Sequence, residues 1–261
     1  MTLVKHELIR GRLPFLIWTG GIGLLLAVCL FLYPEMKGQM AGIQDMFSSM
    51  GALTAAFGMD RLNFGSLKGY YAIECGNVLG LGGAFFAALS GAAMLAKEEQ
   101  DRSAEFLLTH PVSRRRILAE KLLALMIMIT ALNGIIFILA FCSISLIGES
   151  IPWQELSLLH LAYYLMQLVL AGICFGISAF LRRGSAGAGL GLAVMLYFLN
   201  LIANITPSVK FLKYFTPFSF CEGADIMTNS RLEGTYLIPG CAAGALGILI
   251  AFLKYERKDI R

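Results

Sequence analysis

The chain has 261 residues, 57% of them hydrophobic and 15% charged, with a mean hydropathy of +0.73. That is more apolar surface than a soluble domain of this size can bury, so the chain is read as an integral membrane protein. The net charge of +4 comes with no basic patch interleaved with aromatics, which excludes a nucleic-acid partner.

Residues 1–13 set Lys5, Arg10 and Arg12 among Leu3, Val4, Leu8 and Ile9. This pattern predicts a short amphipathic helix lying in the cytoplasmic interface. Residues 14–33 form the first span, a retained helix: the apolar stretch is too long for a signal-peptide core, and no small-x-small cleavage site follows it. An outer segment, 34–68, places Ile43, Met46, Phe47, Met50, Leu53 and Phe57 near helical spacing, as an interfacial helix would. The second span, 69–96, is rich in Gly and Ala and carries Gly76-x-x-x-Gly80, the small-residue spacing that lets two helices approach closely.

A densely charged stretch, 97–121, follows, and its first part, 97–116, is read as a cytoplasmic segment. The third span covers 117–147, and an outer loop with Pro152 and Trp153 leads to the fourth, 158–181. Arg182, Arg183 and a Gly184-Ser185 turn then join it to an antiparallel fifth span, 186–205. A second outer segment, 206–234, holds Phe211, Tyr214, Phe215, Phe218 and Phe220, a cluster suited to a membrane interface or a re-entrant turn. The sixth span, 235–253, carries Gly240-x-x-x-Gly244 and ends in a charged tail. The expected fold is thus all-α, a single transmembrane domain over 1–261 with six transmembrane helices. With both termini on one face, that face receives fifteen of the 21 Lys and Arg, while the acids divide almost evenly. The positive-inside rule makes it cytoplasmic.

No catalytic constellation is present. There is no H-E-x-x-H or G-x-S-x-G, and His6, His110 and His160 lie far apart near predicted helix ends. Gly187-x-Gly189-x-Gly191 sits inside an apolar span and reads as packing, and the Asn204-Ile205-Thr206 sequon abuts the membrane and is discounted. Cys29, Cys75, Cys142, Cys174, Cys221 and Cys241 are scattered singly, without metal-ligand spacing, although Cys75 and Cys221 fall near one predicted face and leave a disulfide open. Glu74 is the one acid within an apolar run. An acid at membrane depth is a functional candidate, but a carboxylate reaching interfacial water is the simpler reading. Asn77, Asn133 and Asn200, with Asn204, could line a polar substrate path or simply bond neighbouring helices. No buried cationic site for an anionic substrate is visible, which favours an apolar or amphiphilic cargo.

The charged stretch needs more than a topology signal to account for it. Glu98 pairs with Arg102 at i,i+4, Phe106, Leu107 and Leu108 follow, and Pro111 disfavours helix at His110. Ser113 is positioned to cap a new helix that opens with Arg114, Arg115 and Arg116. Apolar residues ringed by charge on a cytoplasmic helix point to a docking surface for a protein.

These residues resemble a family. Glu98-Glu99, the run Ala104-Glu105-Phe106-Leu107-Leu108-Thr109-His110-Pro111-Val112-Ser113-Arg114, and Lys121 are similar to the segment E-E … T-L-E-x-L-L-x-x-P-V-S-R … K of ABC-transporter permease subunits of the drug and polysaccharide exporter class, type V exporter-like. Weaker matches are Phe57-Gly58 and Gly69-Tyr70-Tyr71 before the second span, Thr216-Pro217-Phe218 after the fifth, and residues 256–260 at the end. Arg102-Ser103-Ala104 departs from the family's Gly-Thr-Leu-like triplet.

The resemblance implies that 97–116 is the coupling helix, docking an ABC ATPase through Glu98, Glu99, Arg102, Glu105, Phe106, Leu107, Leu108, His110, Pro111 and Arg114. It also implies that ATP and Mg belong to that separate polypeptide, with no cofactor on this chain. A second permease subunit, identical or a sister, would complete an exporter in the cell membrane. The alternative from another class is a sensor or scaffold subunit that moves no cargo.

Overall fold

A computed structural model describes residues 2–38, 51–63, 65–100, 113–181 and 185–256. Among these residues the protein is all-α, without strands, and six helices are long and apolar enough to cross a membrane. They begin with α1 (Thr2–Lys37), which is followed by a short α2 (Ala52–Ala56). The second crossing is made by α3 (Leu67–Cys75) and α4 (Leu81–Gln100), joined through a π turn at Gly76–Gly80. Then come α5 (Arg114–Leu146), α6 (Trp153–Ser178) and α7 (Ser185–Ile205). Two 3-10 segments, Pro207–Phe215 and Pro217–Cys221, and α8 (Gly223–Asn229) precede α9 (Gly234–Glu256).

The first element differs from expectation. The amphipathic start is no separate helix: α1 runs unbroken through Pro14 to Lys37. Proline removes the donor that would bond the carbonyl four residues back. The first turns are held instead from outside, because the Glu120 carboxylate of α5 accepts from the Leu3 and Val4 amides at 3.2 and 3.4 Å. A neighbouring helix thus accepts from two of the first amides of α1, which have no carbonyl four residues back within the helix.

The six crossings are unequal. Of the most apolar window in each, 67% is buried in α6 and 61% in α3–α4, against 28% in α1 and α7 and 17% in α9. The outer helices therefore keep Leu16, Leu24, Phe198, Leu246 and Leu249 outward, where only lipid makes such faces favourable. Glycines set the closest crossing. A Cβ on Gly172 would lie 2.7 Å from the Gly244 carbonyl, and one on Gly176 2.5 Å from that of Gly247, so α6 and α9 meet backbone to backbone. The predicted small-residue faces are thus used inside the chain. Gly244 packs on Val169 and Gly240 on Phe220, while Gly76 and Gly80 make room for the Tyr163 side chain.

The ends carry the polar groups. At the basic end, Glu7 meets Lys97 and Lys121, Arg114 donates to the Tyr255 carbonyl, and Lys254 lies 5.4 Å from the Phe180 ring. At the opposite end Lys37 pairs with Glu149, Lys68 with Glu155, and Arg61 with Glu222 and Asp225. The predicted aromatic cluster divides there: Phe211, Tyr214 and Phe215 are exposed, while Phe218 and Phe220 are buried. Trp153 is also exposed, its ring 5.0 Å from that of Phe141. Ile43, Met46, Phe47 and Met50, and the Arg182-Arg183-Gly184 turn, lie outside the described residues. All six cysteines are free, which closes the Cys75–Cys221 disulfide.

Candidate functional site

The residues predicted from the sequence to dock an ATPase, Arg102, Glu105, Phe106, Leu107, Leu108, His110 and Pro111, lie outside the described residues, and so do the side chains of Glu98 and Glu99. What is described is the base on which that segment stands. Its upstream stem is the end of α4. Its downstream stem begins at Ser113, whose hydroxyl accepts from the Arg116 amide at 3.4 Å, the cap expected from the sequence.

Between the stems stands Glu7 of α1, 1% exposed. One carboxylate oxygen accepts from Lys121 Nζ at 2.8 Å and the other from Lys97 Nζ. Lys121, fully buried, also donates to the Met94 carbonyl at 3.0 Å. One acid thus binds α4, α5 and α1 together, between the end of α4 and the start of α5. Ions this deeply buried persist only when charge and hydrogen bonds are both matched. Here two cations share a carboxylate, and Lys121 takes a carbonyl as well. Beside them, Arg116 Nε donates to Glu120 at 3.0 Å, within the same group that caps α1.

The predicted path residues separate. Asn77 and Asn200, with Asn204, line a cleft of about 90 Å³ toward the opposite end, together with Tyr163, Tyr197 and Glu222. Asn200 is buried with its amide oxygen unpartnered, and Asn204 donates to the Ala56 carbonyl at 3.2 Å. Above the cleft Glu222 accepts from Lys213 at 2.7 Å and from Arg61 at 3.2 Å. Burial pushes its carboxyl above the usual range, and Lys213 opposes that shift.

Glu74 does not line this cleft; it is half-buried and accepts from Cys29 Sγ at 3.4 Å. Asn133 lies apart as well, its amide nitrogen donating to Gln167 Oε1 at 2.6 Å and to the Ile129 carbonyl at 2.9 Å. It ties α5 to α6, the helix-bonding alternative for such asparagines. His160, placed by the sequence near a helix end, is 5% exposed and bonds the Tyr71 hydroxyl at 2.6 Å. No group of three or more metal-ligating side chains occurs among the described residues.

A family model described as ABC-2 family transporter protein matches residues 1–260. The chain belongs to this family. No curated protein and no solved structure matches the chain significantly. As an ABC-2 family member with six apolar spans, it is a multi-pass membrane protein and a membrane component of ABC transport. ABC-2 permeases normally work with an ABC ATPase.

Sequence reasoning missed Glu7. Residues 1–13 carry one acid, Glu7, among three bases. A lone acid in a basic amphipathic stretch was the available signal, but only the packing of three helices supplies its partners.

Proposed function

We propose that this chain is the permease subunit of an ATP-driven exporter, coupled to a separate ATPase that docks on 97–116, with the basic end and both termini in the cytoplasm of a cell-membrane protein. The observation that carries this reading is the buried Glu7 bridge between Lys97 and Lys121, which makes the two stems of the docking segment one base with α1. A push on such a segment tilts three helices together instead of bending one loop. ATP and Mg act in the partner, and the nucleotide-driven approach of two ATPases supplies the stroke.

The cargo is apolar or amphiphilic, consistent with an opposite-end cleft that is small and mixed in polarity. A second permease, identical or a sister, completes the path. Its contact face is not Gly240-x-x-x-Gly244, which α9 already uses against Val169 and Phe220.

The test is co-purification with the co-encoded ATPase, followed by ATP hydrolysis and vesicle flux. Glu105→Lys and Phe106→Ala are expected to release the ATPase and lower its turnover by about tenfold or more, the loss from disrupting a packed anchor. Unchanged assembly and turnover would refute the docking role. Ligand-stimulated hydrolysis without flux would assign the chain to the sensor class instead.

A further inference from the structure

A groove of about 340 Å³, within the size range of ligand pockets, opens at the basic end between α1, α4 and the start of α7. Two facing helical stripes build it. From α1 come Glu7, Arg10, Pro14 and Trp18, spaced by three or four residues as one helix face requires. From antiparallel α4 come Phe86, Leu89, Ala93, Met94 and Lys97. Met128 of α5 also lines it.

Polarity is graded along the groove. Its charged residues, Glu7, Arg10 and Lys97, lie where α1 enters and α4 leaves the bundle, while Trp18, Phe86 and Leu89 lie at the far end. From Glu7 to Trp18 is eleven residues, or about 16 Å of helix rise, enough for a polar head and the upper part of an acyl chain. Among the described lining residues Glu7 is one formal anion against Arg10 and Lys97, with Lys121 behind it, a net positive lining that suits an anion. Beside it Leu13, Leu16 and Ile17 are exposed by 61–64%, which puts the groove next to lipid tails.

We infer that this groove binds a membrane phospholipid with an anionic headgroup, the phosphate held at Arg10 and Lys97 and one acyl chain laid between α1 and α4. Basic pockets between spans on the cytoplasmic side hold such headgroups, because the cytoplasmic leaflet is the anionic one. The inference rests on the proposed orientation of the basic end. A lipid there touches Glu7 and Lys97, so leaflet composition would act on the base of the docking segment.

The test uses the full chain in a neutral detergent, titrated with phosphatidylglycerol or phosphatidylcholine, with bound lipids counted by native mass spectrometry and melting followed in parallel. Phosphatidylglycerol is expected to bind preferentially and to raise the melting temperature. Arg10→Gln should weaken its binding about fivefold, the effect of one basic residue at a lipid surface. Arg12→Gln, an exposed cation that does not line the groove, should leave binding unchanged. Ala93→Phe should abolish it by filling the groove.

Equal binding of the two lipids would overturn the inference, and so would an Arg10→Gln variant that binds like the wild type. Displacement of the lipid by glycerol 3-phosphate alone would reassign the site to free phosphate. A second copy is the occupant instead if Ala93→Phe splits a dimer without changing the lipid count. The assay uses neither ATPase nor membrane sidedness, so its failure leaves the permease reading standing, and failure of ATPase docking leaves the lipid site standing.

Discussion

The two ends of this bundle handle charge in opposite ways. At the basic end two ionic groups are withdrawn from water, Lys121 at 0% and Glu7 at 1% side-chain exposure, and Lys97 on a third helix is 21% exposed. At the opposite end Lys37 and Lys68 reach Glu149 and Glu155 from positions about half exposed, and among the described residues only the Lys213–Glu222 pair is buried. Water pays for ions at the surface, whereas buried ions depend wholly on one another. The basic end is therefore the stiffer and the more vulnerable to a single substitution, which suits a base that receives force.

The comparison is broken most sharply at Glu7. Glu7→Leu leaves Lys121 buried without its anion and Lys97 without its partner, and removing one partner of a buried pair costs about 3–5 kcal/mol. A large fall in melting temperature in detergent is expected. Replacing all three (Glu7→Leu, Lys97→Leu, Lys121→Met) should recover much of that loss, because an apolar cluster needs no pairing. If the single variant melts like the wild type, the basic end is no stiffer than the other.

Gly176→Val comes next, and it probes the frame both ends share. A Cβ there would meet the Gly247 carbonyl at 2.5 Å, backbone that no rotamer can move aside. Overpacking of this kind costs about 1–3 kcal/mol. Gly187→Val, where nothing lies within 4 Å, is the control and should melt almost unchanged.

The contrast between the ends also marks what the sequence could reveal. Hydropathy and the placement of Lys and Arg carry the six spans and their alternation, because those are one-dimensional properties that lipid imposes on every residue in turn. The Ser113 cap was equally local and equally legible. Glu7 was not: its partners lie 90 and 114 residues away, and no local pattern marks an acid that will stand between two lysines. Gly76-x-x-x-Gly80 misled for a related reason. The spacing announces room without naming the occupant, which proved to be one tyrosine side chain. The asparagines were sorted only by packing, which sends Asn77 and Asn200 to a cleft and Asn133 to Gln167.

Lys213→Met sharpens the comparison from the other side. It leaves Glu222 buried but still within 3.2 Å of Arg61, so the loss should be partial. A hydrogen bond to a charged group is worth about 1.5–3 kcal/mol, and the melting temperature should fall by less than for Glu7→Leu. Methionine keeps the length of the chain, so the change reads charge more than packing. A fall as large as at Glu7 would mean that the opposite end is braced equally.

The smallest effect is expected at the rim. Lys68 is about half exposed and Glu155 mostly buried, and together they tie the start of α3 to the start of α6. Pairs of this kind, with one partner in water, contribute about 0.2–1 kcal/mol because the cation keeps much of its hydration and must give up side-chain freedom. Lys68→Ala should therefore lower the melting temperature only slightly, and raising the salt should shrink the difference further, since a pair open to water is screened. The Glu7–Lys121 pair, at 1% and 0% exposure, should keep its effect at the same salt. If salt weakens both alike, ions penetrate the basic end, and the burial of charge is not what separates the two ends.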